Sequence, residues 1–192
     1  MVAVVPVPGV ERLSASQLQS LKAAADKLNI PVDWLATVIS FETGGTFSPT
    51  IRNAAGSGAF GLIQFMPTTA QNMLKTATKD EAVQRGLAMS FDEQLFGMVV
   101  PYLAGRSYNS LEDVYLQIFY PAAANKPDDY VVGTKGAEGF SGKVYTQNAG
   151  FDTTGKGYIT KADITRKIRN LYAKAAGLPP IAVQEPKGGL FG

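Results

Sequence analysis

The chain has 192 residues, 45% of them hydrophobic, enough for one core and too few for more than one main domain with appendages. Its 18 Lys and Arg against 16 Asp and Glu leave a net charge of +2, and no block of like charge is long enough to bind nucleic acid or a membrane surface. Cysteine and histidine are both absent, which excludes disulfides, Cys/His zinc centres, thiol nucleophiles and imidazole-based triads, and leaves the redox compartment open.

Residues 1–13 start apolar, but they lack a basic start and are broken by Pro6 and Pro8. They are expected to form an N-terminal extension and not an export signal. No run approaches the ~20 apolar residues of a spanning helix, so no transmembrane segment is expected. Ser14 to Leu28 carries Leu18, Leu21, Ala25 and Leu28 at helical spacing behind a serine-rich start, and predicts a first helix. A second runs from about Val32 to Glu42 and stops at Gly44-Gly45. Residues 46–61 are turn-rich, with Gly56, Gly58 and Gly61. A third helix starts near Pro67, a fourth covers roughly 91–103, and a fifth covers roughly 111–119 before Pro121. From 125 to 150 the composition shifts to Gly, Lys, Asp and Thr without any period, which reads as a long loop or insertion. A last helix, about Lys161 to Ala176, shows Ile164, Ile168, Leu171 and Tyr172 on one face, and the tail from Gly177 reads as extended or disordered. The expected fold class is mainly α, with a main domain over 14–176 and a tail over 177–192.

On the second helix Leu35, Val38, Ile39 and Glu42 fall at i, i+3, i+4 and i+7, so a carboxyl group continues the stripe that faces the core. Lost hydration and the negative end of the helix dipole both raise its pKa. A glutamic acid still protonated near neutral pH is what a general acid needs to donate to a glycosidic oxygen. From the helix alone the alternative is a boundary glutamate whose head reaches solvent.

The surrounding text favours the acid. Ser40-Phe-Glu-Thr-Gly-Gly-Thr-Phe47, then Gly58-Ala-Phe-Gly-Leu-Ile-Gln64-Phe-Met-Pro-Thr-Thr-Ala70, resembles the two signature segments of the soluble lytic transglycosylase family, which has a goose-type-lysozyme-like fold. Glu42 falls on the family's catalytic acid, and Ile63 replaces a methionine of the second segment. Ile118-Phe-Tyr120-Pro-Ala-Ala-Ala124 is similar to a third family motif; its tyrosine is Tyr120, while Pro121 stands where the family has asparagine, so no contact from that asparagine carries over. The resemblance covers about residues 14 to 125. It implies a lysozyme-like helical domain, peptidoglycan glycan strands as substrate, and no cofactor. It further implies a route with one carboxyl group: Glu42 protonates the glycosidic oxygen, the substrate's acetamido group stabilises the cation, and Glu42 then deprotonates the 6-hydroxyl to leave a 1,6-anhydro end. By the same resemblance Gln64 and Tyr120 position the sugar and the acid, while Ser57 and the backbone up to Phe60 line the cleft. Ordinary glycosidases need a second carboxylate; only Asp92, Glu93, Asp128 and Asp129 are at hand, none in a matching motif.

Asp152-Thr-Thr-Gly-Lys-Gly157-Tyr-Ile-Thr-Lys-Ala-Asp163 has the outline of an EF-hand loop. Asp152, Thr154 and Asp163 are its weak metal-ligand candidates, but Lys156 puts an ammonium where a ligand oxygen belongs. The expectation is a degenerate EF-hand-like turn that binds no metal and leads into the last helix.

Two alternatives stay open at this point: a hydrolytic lysozyme of the same fold, and a non-catalytic structural virion component. Because the substrate lies beyond the cytoplasmic membrane, the expected setting is a protein made in the bacterial cytoplasm, carried in a bacteriophage particle with other tail or virion proteins as possible partners, and acting in the periplasm or wall. The Tyr-Pro-Ala-Ala variant is similar to phage-encoded relatives. No nucleic-acid partner is expected.

Overall fold

Ser14 starts the first long helix as its side chain dictates: its Oγ accepts from the Gln17 amide at 3.2 Å, and its own amide donates to Gln17 Oε1 at 2.9 Å. This helix, α1 (Ala15–Leu28), buries Leu21, Ala24, Ala25 and Leu28. The computed structural model describes residues 2–54 and 56–179 and is mainly helical. α2 (Val32–Glu42) buries Leu35, Ala36, Thr37, Val38, Ile39 and Ser40, nearly its whole circumference. It is the central helix, packed by α1, by α7 (Leu111–Phe119) and by α9 (Lys161–Ala175). The N-terminal segment also lies on it: the Val5 amide donates to Asp33 Oδ1, Ser40 Oγ donates to the Pro8 carbonyl, and Val7 is fully buried.

α3 (Pro67–Leu74) packs against α4 (Lys79–Leu87), a helix that the sequence pattern does not reveal. Only Ala82, Val83 and Gly86 of α4 are buried, too few for an apolar stripe, although Thr78 caps it through the Glu81 amide. The expected fourth helix is a continuous run of α5 (Phe91–Gln94), a wide π turn (Leu95–Val99) and α6 (Val100–Leu103). Pro101 explains the π turn, because it has no amide to give to the preceding turn and its ring would press on the carbonyl four residues back. Pro121 likewise ends α7, holding Tyr120 out of helical geometry at φ −151°.

The expected loop or insertion over 125–150 is instead largely regular: it holds β1 (Val131–Thr134) and α8 (Gly139–Asn148). Glycine has two uses here: Gly136 and Gly139 take positive φ where the chain turns, whereas Gly133 and Gly142 serve close packing. A Cβ on Gly142 would lie 1.9 Å from the Ala137 carbonyl oxygen, and one on Gly133 would lie 2.7 Å from the Tyr145 amide nitrogen. β1 pairs antiparallel with β2 (Tyr158–Thr160), Gly133 opposite Ile159, so that α8, the 152–163 loop and α9 form a helix–loop–helix. α9 buries Ile164 and Ile168, while Leu171 and Tyr172 of the expected face are half-buried.

This C-terminal unit is fastened by charge. Lys161 Nζ lies 2.7 Å from Asp113 Oδ1, both side chains almost fully buried, and also donates to the Lys126 carbonyl. Arg169 grips Asp128 through two nitrogens and meets Glu112 at 2.5 Å. The tail expected to be extended or disordered lies outside the described residues from 180 onward. Among the described residues no helix is long and apolar enough to cross a membrane.

Candidate active site

Glu42 is the last residue of α2, and the helix ends there for identifiable reasons. Thr43 returns both its amide and its hydroxyl to the Ile39 carbonyl, at 2.9 and 2.7 Å, and the Gly45 amide donates to the Ser40 carbonyl at 2.7 Å. Gly44 and Gly45 take positive φ, and at Gly45 a Cβ would press on Pro8. The stop leaves the Glu42 side chain half-buried, with no hydrogen bond or ion pair to any described residue. Burial pushes its pKa from 4.5 up to about 7.

The group that senses Glu42 most directly is Tyr115 of α7. Burial, and then the Glu42 charge, hold its phenol above the ordinary tyrosine range. Tyr115 is 3% exposed, meets Phe41 edge-on at 5.3 Å and stacks on Phe119 at 5.7 Å. Its hydroxyl has no partner among the described residues. Sequence reading missed Tyr115; the available signal was its place one helical turn before Phe119, on the face of α7 that packs on α2.

Gln64 sits on a tight hairpin closed by reciprocal hydrogen bonds between Phe60 and Phe65, at 3.1 and 2.7 Å. It adopts the left-handed backbone at φ 52°, a strain of about 1–3 kcal/mol that the surrounding structure must hold in place. Gln94 of α5 does much of the holding. Fully buried, it accepts from the Leu62 amide at 2.7 Å and donates to the Gly86 and Pro49 carbonyls, each at 3.0 Å. Gly61 is required beside it, because a Cβ there would fall 2.3 Å from Gln94 Oε1. Leu62 and Ile63 are buried, which leaves Gln64 as the half-exposed polar member of the loop, its Nε2 turned back to the Gly61 carbonyl at 3.1 Å. Ile63 thus lies in the core behind the loop.

Ser57 is exposed, its Oγ accepting from the Ala59 amide at 3.3 Å. Phe60, whose backbone the resemblance sets along the cleft, has its ring fully buried against Phe65 and beneath Gly86, so its side chain belongs to the core. Tyr120, at the end of α7, is half-buried and lies nearly parallel to Phe140 of α8 at 6.5 Å. α2–α7 packing thus brings Glu42 to Tyr115, while Gln64 and Tyr120 make no direct hydrogen bond to it. The Gln64 hairpin is tied to α7 through Phe65, edge-on to Tyr102 at 5.9 Å, and through the Tyr102 hydroxyl, which donates to the Gln117 carbonyl.

Of the four other carboxylates considered, Asp92 and Asp129 are exposed and two are engaged elsewhere. Asp128 is held by Arg169, and Glu93 caps α5 through the Ser90 amide. In the 152–163 loop Asp152 accepts from the Lys156 and Gly157 amides and from the Tyr145 hydroxyl, at 2.8–2.9 Å. Lys156 Nζ lies 2.6 Å from Asp163 Oδ2, an oxygen that also caps α9 by accepting from the Thr160 amide. The ammonium thus answers the Asp163 charge, and Thr154 is exposed. Among the described residues no three acidic side chains gather in a way that would hold a metal.

No family model matches the chain, and no curated protein matches it.

Proposed function

We propose that the chain is a peptidoglycan lytic transglycosylase that cleaves the β-1,4 bond between N-acetylmuramic acid and N-acetylglucosamine, with Glu42 as acid and then base. The observation that carries this reading is Glu42 itself: a half-buried carboxyl with no partner and a pKa near 7. A group with that pKa is half protonated at neutral pH, so it can give a proton to the departing oxygen and take one back in the next step. Burial is the sole cause of the shift, so no second carboxylate bears on Glu42. That favours the one-carboxylate route over hydrolysis, which requires a second carboxyl group across the bond. In that route the acetamido oxygen of the muramyl sugar stabilises the cation as the glycosidic bond breaks; the 6-hydroxyl then attacks the anomeric carbon and gives its proton to Glu42, so no water is consumed.

Tyr115 supports the same site. Its phenol, held neutral by burial and within reach of the Glu42 charge, gives the carboxyl a non-ionised neighbour. Gln64, fixed in strained backbone, is suited to position sugar, since rigidity at a binding loop lowers the entropy lost on binding. The lysozyme-like architecture belongs to this reading, as does action at the cell wall as part of a phage particle, which the likeness of the 118–124 segment to phage-encoded relatives supports. The test is product analysis: mass spectrometry of purified peptidoglycan after digestion should find 1,6-anhydromuramyl ends. Reducing muramyl ends as the main product would assign the protein to the hydrolases.

A further inference from the structure

Phe140 is the most exposed large hydrophobic side chain among the described residues, at 70%. A single exposed phenylalanine would need no account, but this one is not isolated. Its ring lies at 22° to that of Tyr120, with centroids 6.5 Å apart, within the range of an offset stack. The pair joins α8 to the end of α7, the helix that also carries Tyr115, the neighbour of Glu42. Tyr120 also keeps its hydroxyl without a partner among the described residues.

We propose that Tyr120 and Phe140 form a saccharide subsite on which an N-acetylhexosamine ring of the glycan strand stacks, on the same strand that Glu42 cuts. The inference rests on the transglycosylase reading and adds to it the helix–loop–helix as a substrate-binding part. A pyranose is apolar on its C–H face and hydroxylated at its rim; the outward face of the exposed Phe140 ring, backed by Tyr120, matches the first and the Tyr120 hydroxyl the second. A protein partner fits less well. Stable protein interfaces bury about 1,200 Å² or more in total, and the residues flanking Phe140, namely Gly136, Glu138, Gly139 and Lys143, are exposed and mostly polar or without side chains.

The experiment uses chitohexaose as the probe and the Glu42→Gln protein, which binds without cutting. Phe140→Ala in that background should weaken binding by about fivefold in titration calorimetry, and Phe140→Tyr should restore it. On addition of the probe, the ring resonances of Phe140 and Tyr120 should shift in the parent protein. In the cutting enzyme, Phe140→Ala should raise KM and leave kcat unchanged, with no change in melting temperature because the ring is exposed. Wild-type wall lysis together with an unchanged Kd and KM for Phe140→Ala would overturn the subsite alone. A wild-type protein that neither lyses purified wall nor binds the probe would overturn the reading of Glu42 beneath it. A concentration-dependent dimer abolished by Phe140→Ala would assign the rings to self-association instead.

Discussion

Glu42 ends α2 and Asp113 lies in the first turn of α7, two helices in contact, and the two carboxyl groups have opposite electrostatic fates. Burial pushes both up. At Glu42 nothing answers it, and the pKa rises to about 7. At Asp113 the Lys161 ammonium, the Asn125 amide and the Ser110 hydroxyl together outweigh burial, and the pKa falls below 3.8. Burial therefore does not decide the charge of a carboxyl; the supply of donors does. Asp113 uses its charge to fasten the C-terminal unit to the core, whereas Glu42 is left with a proton it can transfer.

The comparison breaks most completely at Glu42. Glu42→Gln keeps the volume and removes the transferable proton, so peptidoglycan lysis should fall by about 10²–10⁴-fold with the fold retained. Turbidity loss of purified cell walls, read beside circular dichroism, checks this. A variant that keeps more than about a tenth of the activity would move the acid to another residue.

The next largest effect lies at the partnered carboxyl. Lys161→Met removes the ammonium and strands a buried Asp113, which should destabilise the protein by about 3–5 kcal/mol in urea unfolding. The double variant Asp113→Leu, Lys161→Met should recover much of that, because neither charge then remains buried alone. A single variant as stable as wild type would show that the pair is dispensable and that apolar packing of α9 holds the unit.

The third effect is one of sign. Glu42 keeps its proton in the folded state up to about pH 7, while the unfolded chain releases it near 4.5. Between those values the folded state binds more protons, so this group's contribution falls as pH rises, by on the order of 3 kcal/mol in all, and then stays flat. Asp113 acts in reverse: its contribution is present above 3.8 and lost as pH falls through its depressed folded value. Glu42→Gln should therefore be more stable than wild type above pH 7 and indistinguishable from it near pH 4. Lysis by the wild type should decline as pH rises above 7, when the acid has lost its proton. Equal melting temperatures for wild type and variant at pH 8 would mean that Glu42 ionises without cost.

What could be read in advance follows the range of the interaction. Glu42 was visible because a helix repeats every 3.6 residues and its stripe is written within eleven of them. α8 was not, because its glycines accommodate neighbours that only the fold supplies, and α4 was not, because too few of its residues are buried to leave a pattern. The residues that place the site were hidden for a similar reason. Gln94 reaches 32 positions back to Leu62, and Lys161 reaches 48 back to Asp113; no local period encodes either bond. Phe60 shows the limit of a motif: it sits inside a recognisable one, yet the motif does not say that its ring faces inward.

The smallest effect expected is none. Chelation with EGTA should leave both melting temperature and lytic rate unchanged, because the 152–163 loop carries its own cation. Lys156 Nζ rests on Asp163 at 2.6 Å and lies over the Tyr158 ring at 4.8 Å, while Asp152 is engaged by two amides and a phenol. A calcium ion would have to displace the ammonium and still find 6–8 oxygens, where side chains offer only Asp152, Thr154 and Asp163. The sharper version removes the lysine. Lys156→Met leaves Asp163 with its cap on α9 but no counter-charge, a loss larger than at a surface pair because both side chains are largely buried. Lys156→Asp adds a ligand where the ammonium stood, and should make melting temperature rise with calcium. A wild-type protein that loses melting temperature in EGTA and regains it with calcium would show that the loop takes a metal despite its lysine. A Lys156→Asp variant indifferent to calcium would show that the loop's backbone, and not only its charge, has left metal binding behind.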